Sequence, residues 1–135
     1  MSDNTRHAIG SIEVSRWAPE PYDDAGGVTL NQIDVIETFR GDINGGGRAQ
    51  MLQSLRADGS ASFVGLERVT AELAGRSGTF VLQDTGTLDA DGRVDGTWFV
   101  VPGSGTGDLG GLRGTGTFTA VLGEQAEFAL DYWFD

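Results

Sequence analysis

Glycine interrupts this chain at short, uneven intervals, and the segments between are rich in Val, Ile, Thr, Phe and Trp. The 135 residues include 22 Gly but only 3 Pro. Few windows are left in which a helix could propagate, because Gly costs roughly 1 kcal/mol relative to Ala in a helix interior. β-branched and aromatic runs broken by glycine turns predict an all-β chain. The best helical candidate, Ala49 to Arg56, is short and reads equally well as a strand.

About eight strands are expected, near residues 6–16, 28–40, 47–56, 60–73, 77–85, 93–101, 112–122 and 125–134. The stretch Gly41-Asp42 through Gly47 lies between two of them, as do Asp58-Gly59, Gly75-Arg76, Asp91-Gly92 and Gly123-Glu124. Asp-Gly pairs suit hairpins because both residues tolerate positive φ. Nearly all the connections are too short for parallel crossovers, so neighbouring strands should run antiparallel. A single domain over residues 1–135 with this many antiparallel strands removes its edges by closing. The expected fold is therefore a closed antiparallel up-and-down β-barrel. Gly78-Thr79-Phe80, Gly96-Thr97-Trp98 and Gly116-Thr117-Phe118 open three successive strands, at a spacing too irregular for a solenoid.

Alternation assigns the faces. In the last two strands the even positions, Leu112 to Leu122 and Phe128 to Phe134, are the inner set, which leaves Trp133 outside. Three strands carry a carboxylate in their apolar phase. Glu37 falls in phase with Ile33, Val35 and Phe39, Glu67 with Phe63 and Val69, and Asp84 with Phe80 and Leu82. Converging in one lumen, they would make a polar interior with raised pKa values suited to proton transfer. The competing reading is structural: a one-residue slip turns any of them to solvent, or an inward one is paired with Arg40 or Arg68.

Charge and composition narrow the partners. Nine Lys+Arg against 20 Asp+Glu give a net charge of −11, which repels nucleic acid and anionic membrane surfaces and favours neutral or cationic ligands. With no cysteine and one histidine, His7, thiolate zinc, cysteine nucleophiles and multi-histidine metal sites are excluded within the chain. No cofactor is implied. A Ser-His-Asp triad would have to recruit His7, which reads as a surface residue. The N-terminal MSDNTRHAIGS has no apolar core of the signal-peptide kind and no stretch approaches membrane-spanning length, so a cytoplasmic protein is expected.

Two motifs reduce to turns. Gly105, Gly107 and Gly110 satisfy G-x-G-x-x-G, yet a nucleotide site needs a helix directly afterwards. Gly110-Gly111 and Gly114-Thr115-Gly116 cannot sustain one. Pro102 ends the preceding strand, and the glycines that follow form a tight excursion expected to border the barrel mouth. Asp89-Ala90-Asp91-Gly92 with Asp95 lacks the later ligands of a calcium loop and reads as a hairpin. In Trp17-Ala18-Pro19-Glu20-Pro21-Tyr22, two prolines predict a rigid loop whose aromatics either anchor a ligand or cap the barrel.

Several segments together resemble one family. Phe63-Val64-Gly65-Leu66-Glu67-Arg68-Val69, Gly75-Arg76-Ser77-Gly78-Thr79-Phe80-Val81-Leu82-Gln83 and Val101 to Gly114, with Trp17 to Asp23 and Leu130-Asp131-Tyr132, are similar to the bacterial proteins grouped as domain of unknown function 3224. The resemblance implies a calycin-like barrel of the allene oxide cyclase type and no established activity. It also implies His where this chain has Asp84.

The expected role is to bind a small, mostly apolar molecule in the lumen. Phe63, Phe80, Trp98, Phe118 and Tyr132 would contact it, along with Trp17 and Tyr22. The alternatives are a cyclase- or isomerase-like enzyme using Glu37, Glu67 and Asp84 as acid and base, and a homodimer formed through Trp133, Val64 and Leu66.

Overall fold

In the computed structural model, residues 4–135 are described; the first three residues of the N-terminal segment discussed above lie outside them. Eight strands follow one another: β1 (Arg6–Asp23), β2 (Val28–Gly41), β3 (Ile43–Arg56), β4 (Ala61–Leu73), β5 (Arg76–Leu88), β6 (Arg93–Val100), β7 (Leu112–Val121) and β8 (Ala126–Phe134). Each pairs antiparallel with its neighbour in sequence, and β8 returns to β1 to close the barrel. The closing seam runs from Arg6 opposite Tyr132 to Ile12 opposite Ala126. On its outer side His7 Nδ1 lies 2.5 Å from Asp131 Oδ1, both exposed. The all-β closed barrel is thus as expected from the glycine-punctuated alternation.

The interior follows a size rule legible in the register. Phe63 lies opposite Gly86, Phe118 opposite Gly96, Trp98 opposite Gly116 and Phe128 opposite Gly10. A methyl group on any of these glycines would lie within 2.8 Å of the ring across the ladder. Each ring therefore fills the space its cross-strand neighbour lacks, which lets a narrow barrel pack to interior density. Trp98 stands 5.0 Å from Phe118 and 6.2 Å from Phe39, ring centre to ring centre. Its Nε1 donates to the Ala129 carbonyl at 3.2 Å.

Three segments differ from expectation. Gly45, Gly46 and Gly47 belong to β3, and only Asp42 separates β2 from β3. Gly45 and Gly47 face inward, where a side chain would strike Ala71 and Glu67. Residues Trp17 to Tyr22 continue β1 instead of forming a loop. β8 begins only at Ala126, opposite Ile12, so beyond that point β1 pairs with β2 alone. An edge strand tolerates Pro19 and Pro21 because no further ladder needs their missing N–H, and proline there blocks pairing with another chain.

The third difference is the glycine-rich stretch 101–111. It contains one 3₁₀ turn, Gly107–Leu109, before β7 begins, which disposes of the nucleotide reading. The loop substitutes for strand pairing along β5, where Thr106 N–H donates to the Thr79 carbonyl at 2.8 Å. Ser104 Oγ accepts from Val81 N–H at 3.0 Å. Leu109, fully buried, enters the main core with Phe80, Leu112 and Tyr132. The loop therefore seals one end of the barrel and does not border an open mouth. The β1–β2 hairpin lies at the other end, beside a smaller cluster of Ile33, Val35, Ala49, Met51 and Phe63.

The half of β1 that pairs only with β2 is held from its outer face. Asp34 Oδ2 accepts from Arg16 Nε at 2.8 Å, while Oδ1 accepts from Arg48 Nε at 3.1 Å and Gln50 Nε2 at 2.6 Å. The Arg16 and Arg48 guanidiniums hold the Asp34 carboxyl below its usual range. Stability from a depressed carboxylate is present above its unfolded pKa and lost as pH falls through the folded value. Asp34→Ala is expected to speed amide hydrogen exchange across residues 13–23 at neutral pH with the seam unaffected. Uniform acceleration across the barrel, or none, would remove this role.

Candidate functional site

The three inward carboxylates come together in one layer. Glu37 sits on β2 opposite Gly47; Glu67, on β4, lies opposite Ala49 and Leu82; Asp84, on β5, lies opposite Gly65 and Trp98. Glu67 and Asp84 are thus diagonal neighbours across one pair of strands, within reach of long side chains. Glu67 is 1% exposed and Asp84 7%, while Glu37 is half-buried. The Glu67 carboxyl fills the space above Gly47, where a methyl group would lie 2.2 Å from its Oε2. This is why a glycine occupies that position in mid-strand.

The Glu37 and Glu67 carboxyls interact directly, and a hydrogen bond between them requires a proton on one, since an ionised carboxylate only accepts. Burial pushes the Glu67 carboxyl well above its usual range, and the neighbouring Glu37 charge and hydrogen bond add to the effect. Burial also raises Glu37, against the lowering effect of its bond to Glu67. Asp84 is pushed up to about 6, first by burial and then by the Glu37 charge, with the Gly65 N–H opposing.

Among the described residues no cation answers these acids: Arg40 pairs with Glu13 at 3.9 Å and Arg68 lies on the exposed face. Glu67 Oε2 and Asp84 Oδ1 are buried with no hydrogen-bond partner. A buried, unsatisfied acceptor costs about 1–3 kcal/mol, so a fold built only for stability would not gain by keeping two.

The expected contact residues divide by location. Trp98 lies across the ladder from Asp84, next to Phe118, which in turn is 6.2 Å from Phe63. These three rings border the carboxyl layer. Trp17 lies opposite Val35 on the inward phase of the β1–β2 ribbon but is half exposed, because no strand flanks it there. Tyr22 falls in a bulge near the hairpin tip and is exposed. Phe80 and Tyr132 belong to the sealed-end core with Leu109.

Alternation also marks Asn31, two residues before Ile33 in the same phase. It is buried, with its Nδ2 donating to Gln53 Oε1 at 2.9 Å. The proposed self-association residues do not share a face: β4, bearing Val64 and Leu66, and β8, bearing Trp133, are four strands apart around the barrel. Val64 instead lies across the ladder from exposed Leu52.

Among the described residues, no group of three or more His, Cys, Asp or Glu side chains could hold a metal ion. No helix among them is long and apolar enough to cross a membrane. Fold and site together define a small closed β-barrel with an aromatic interior and a layer of buried acids.

Residues 8–132 match the model of a family described as "Protein of unknown function (DUF3224)". This chain belongs to that family. A crystal structure of a DUF3224 protein of unknown function from Shewanella oneidensis MR-1 is similar throughout, with a TM-score of 0.83 and 34% identity over 97% of this chain and 98% of that one. No curated protein matches the chain.

Proposed function

We propose that the barrel binds one small, mostly apolar molecule in its interior, entering from the end bounded by the β1–β2 hairpin. The observation carrying this reading is the pair of orphaned acceptors, Glu67 Oε2 and Asp84 Oδ1, buried on the inner wall beside aromatic rings. Binding sites pair apolar walls with a few polar groups that fix orientation, and barrels of this strand number are either filled by side chains or hold one small ligand. The opposite end is plugged by Leu109. Phe63 and Phe118 are only partly buried, so they are the rings a guest displaces.

Native mass spectrometry with the neutral apolar dye Nile red tests the reading. One dye per chain is expected, bound saturably, and abolished by Met51→Trp, which adds bulk within the smaller cluster at the β1–β2 hairpin end. Leu66→Asp on the outer wall should leave binding intact. Loss of the dye on Leu66→Asp but not on Met51→Trp would move binding to the outside and end the proposal.

A second reading, proton transfer in a cyclase- or isomerase-like reaction, draws on Asp84 being pushed up to about 6. An acid near the operating pH is best placed to give and take protons. Under that reading Glu67→Gln abolishes turnover while a neutral ligand still binds.

A further inference from the structure

We infer that the guest of this barrel carries a basic nitrogen, an ammonium group received by Glu67 Oε2 and Asp84 Oδ1 while its apolar body lies among Trp98, Phe63 and Phe118. The inference rests on the interior-binding reading above and names the chemical class of the ligand.

Five observations converge on it. The two orphaned oxygens belong to side chains more than nine-tenths buried and sit on adjacent strands facing one interior. With the proton of the Glu37–Glu67 pair on the other Glu67 oxygen and Asp84 ionised, both orphaned atoms are acceptors, so what completes them is a donor; an ammonium supplies three N–H donors and no acceptor. No arginine of the chain reaches them, since Arg40 is paired with Glu13 and Arg68 is exposed. Rings flank the acids, with Trp98 directly across the ladder from Asp84, and an aromatic face attracts a cation. Finally, the net charge of −11 draws cations toward the molecule. A metal ion is the lesser candidate, because the described acids form no group that could hold one.

Three probes of one shape and different charge test this: phenethylamine, phenethyl alcohol and phenylacetate, each titrated by calorimetry near neutral pH. Phenethylamine is expected to bind about tenfold or more tightly than the alcohol, with phenylacetate weakest. In the Glu67→Gln/Asp84→Asn double variant, amine and alcohol should bind equally. The two substitutions remove only a small part of the net charge, so a preference surviving them would assign it to the diffuse field and overturn the site. Equal binding of all three probes to the unmodified protein would overturn it as well. If none binds while Nile red still does, the amine assignment falls and interior binding stands; if the dye also fails, both fall. A second readout needs no variant: amine affinity should climb as pH rises through about 6, where Asp84 ionises. A flat profile contradicts the inference.

Discussion

Asp84→Asn is expected to raise the melting temperature near pH 8 by on the order of 10 °C and to change it little near pH 4. The folded-state pKa of Asp84, about 6, stands above its ordinary value of 3.8. Between those values the folded chain holds a proton that the unfolded chain has released, so stability falls as pH rises through the window. Each unit is worth about 1.4 kcal/mol, and the shift therefore costs the folded state about 3 kcal/mol above it. Asparagine keeps the shape and cannot ionise, so it removes the cost only where aspartate would be charged. Glu67, more deeply buried and also raised, should give the same sign on Glu67→Gln. Thermal melts of unmodified and substituted protein across this range decide the matter. An equal gain at both ends, or none, would mean that the carboxyl is already compensated in the fold.

Gly116→Ala should destabilise the barrel by about 3 kcal/mol. The added methyl would lie 2.0 Å from the Ala129 carbonyl oxygen and 2.7 Å from Trp98 Nε1. Those two atoms are the partners of the 3.2 Å bond that fixes the indole. Overpacking typically costs 1–3 kcal/mol and the lost bond about 1 more. Gly46→Ala is the control: it sits in mid-strand too, but its methyl meets only the Glu37 carbonyl at 3.8 Å. Urea denaturation should show a large fall in midpoint for the first and almost none for the second. Similar midpoints would disprove the ring-over-glycine account of the interior.

The sequence was legible where a residue's period and chemistry agreed. Val35-Ile36-Glu37-Thr38-Phe39 and Phe63 to Val69 alternate cleanly, so the inward placement of Glu37 and Glu67 could be read from parity. Asp84 followed from Phe80 and Leu82. Glycine and proline are ambiguous in sequence because each carries two meanings. Three consecutive glycines at 45–47 resemble a turn, but two of them face inward and make room for Ala71 and Glu67. That requirement is set by β4 and is invisible in β3. Pro19 and Pro21 resemble a loop unless β8 is known to stop short of them. In the stretch 101–111 the informative residue is Leu109, a lone large apolar residue amid glycines that must be buried somewhere. The orphaned acceptors could not be read in advance, because an absent partner is a property of the assembled interior.

The seam between β1 and β8 has a consequence for how the barrel assembles. Every other neighbouring pair of strands is joined by its own connection, but this pairing brings together His7 and Asp131, 124 residues apart. Loop-closure entropy makes such a contact slow to form relative to local hairpins. It also involves seven register pairs, against twelve between β1 and β2. The chain can thus zip up as an open ribbon of hairpins and acquire its enclosed interior only in the last step. Linking the ends and cutting the chain at Ala74-Gly75 would turn the seam into an ordinary hairpin and move that late step to the boundary between β4 and β5. The acids at Glu67 and Asp84 flank that boundary, so such a circular permutant would assemble its acidic layer last.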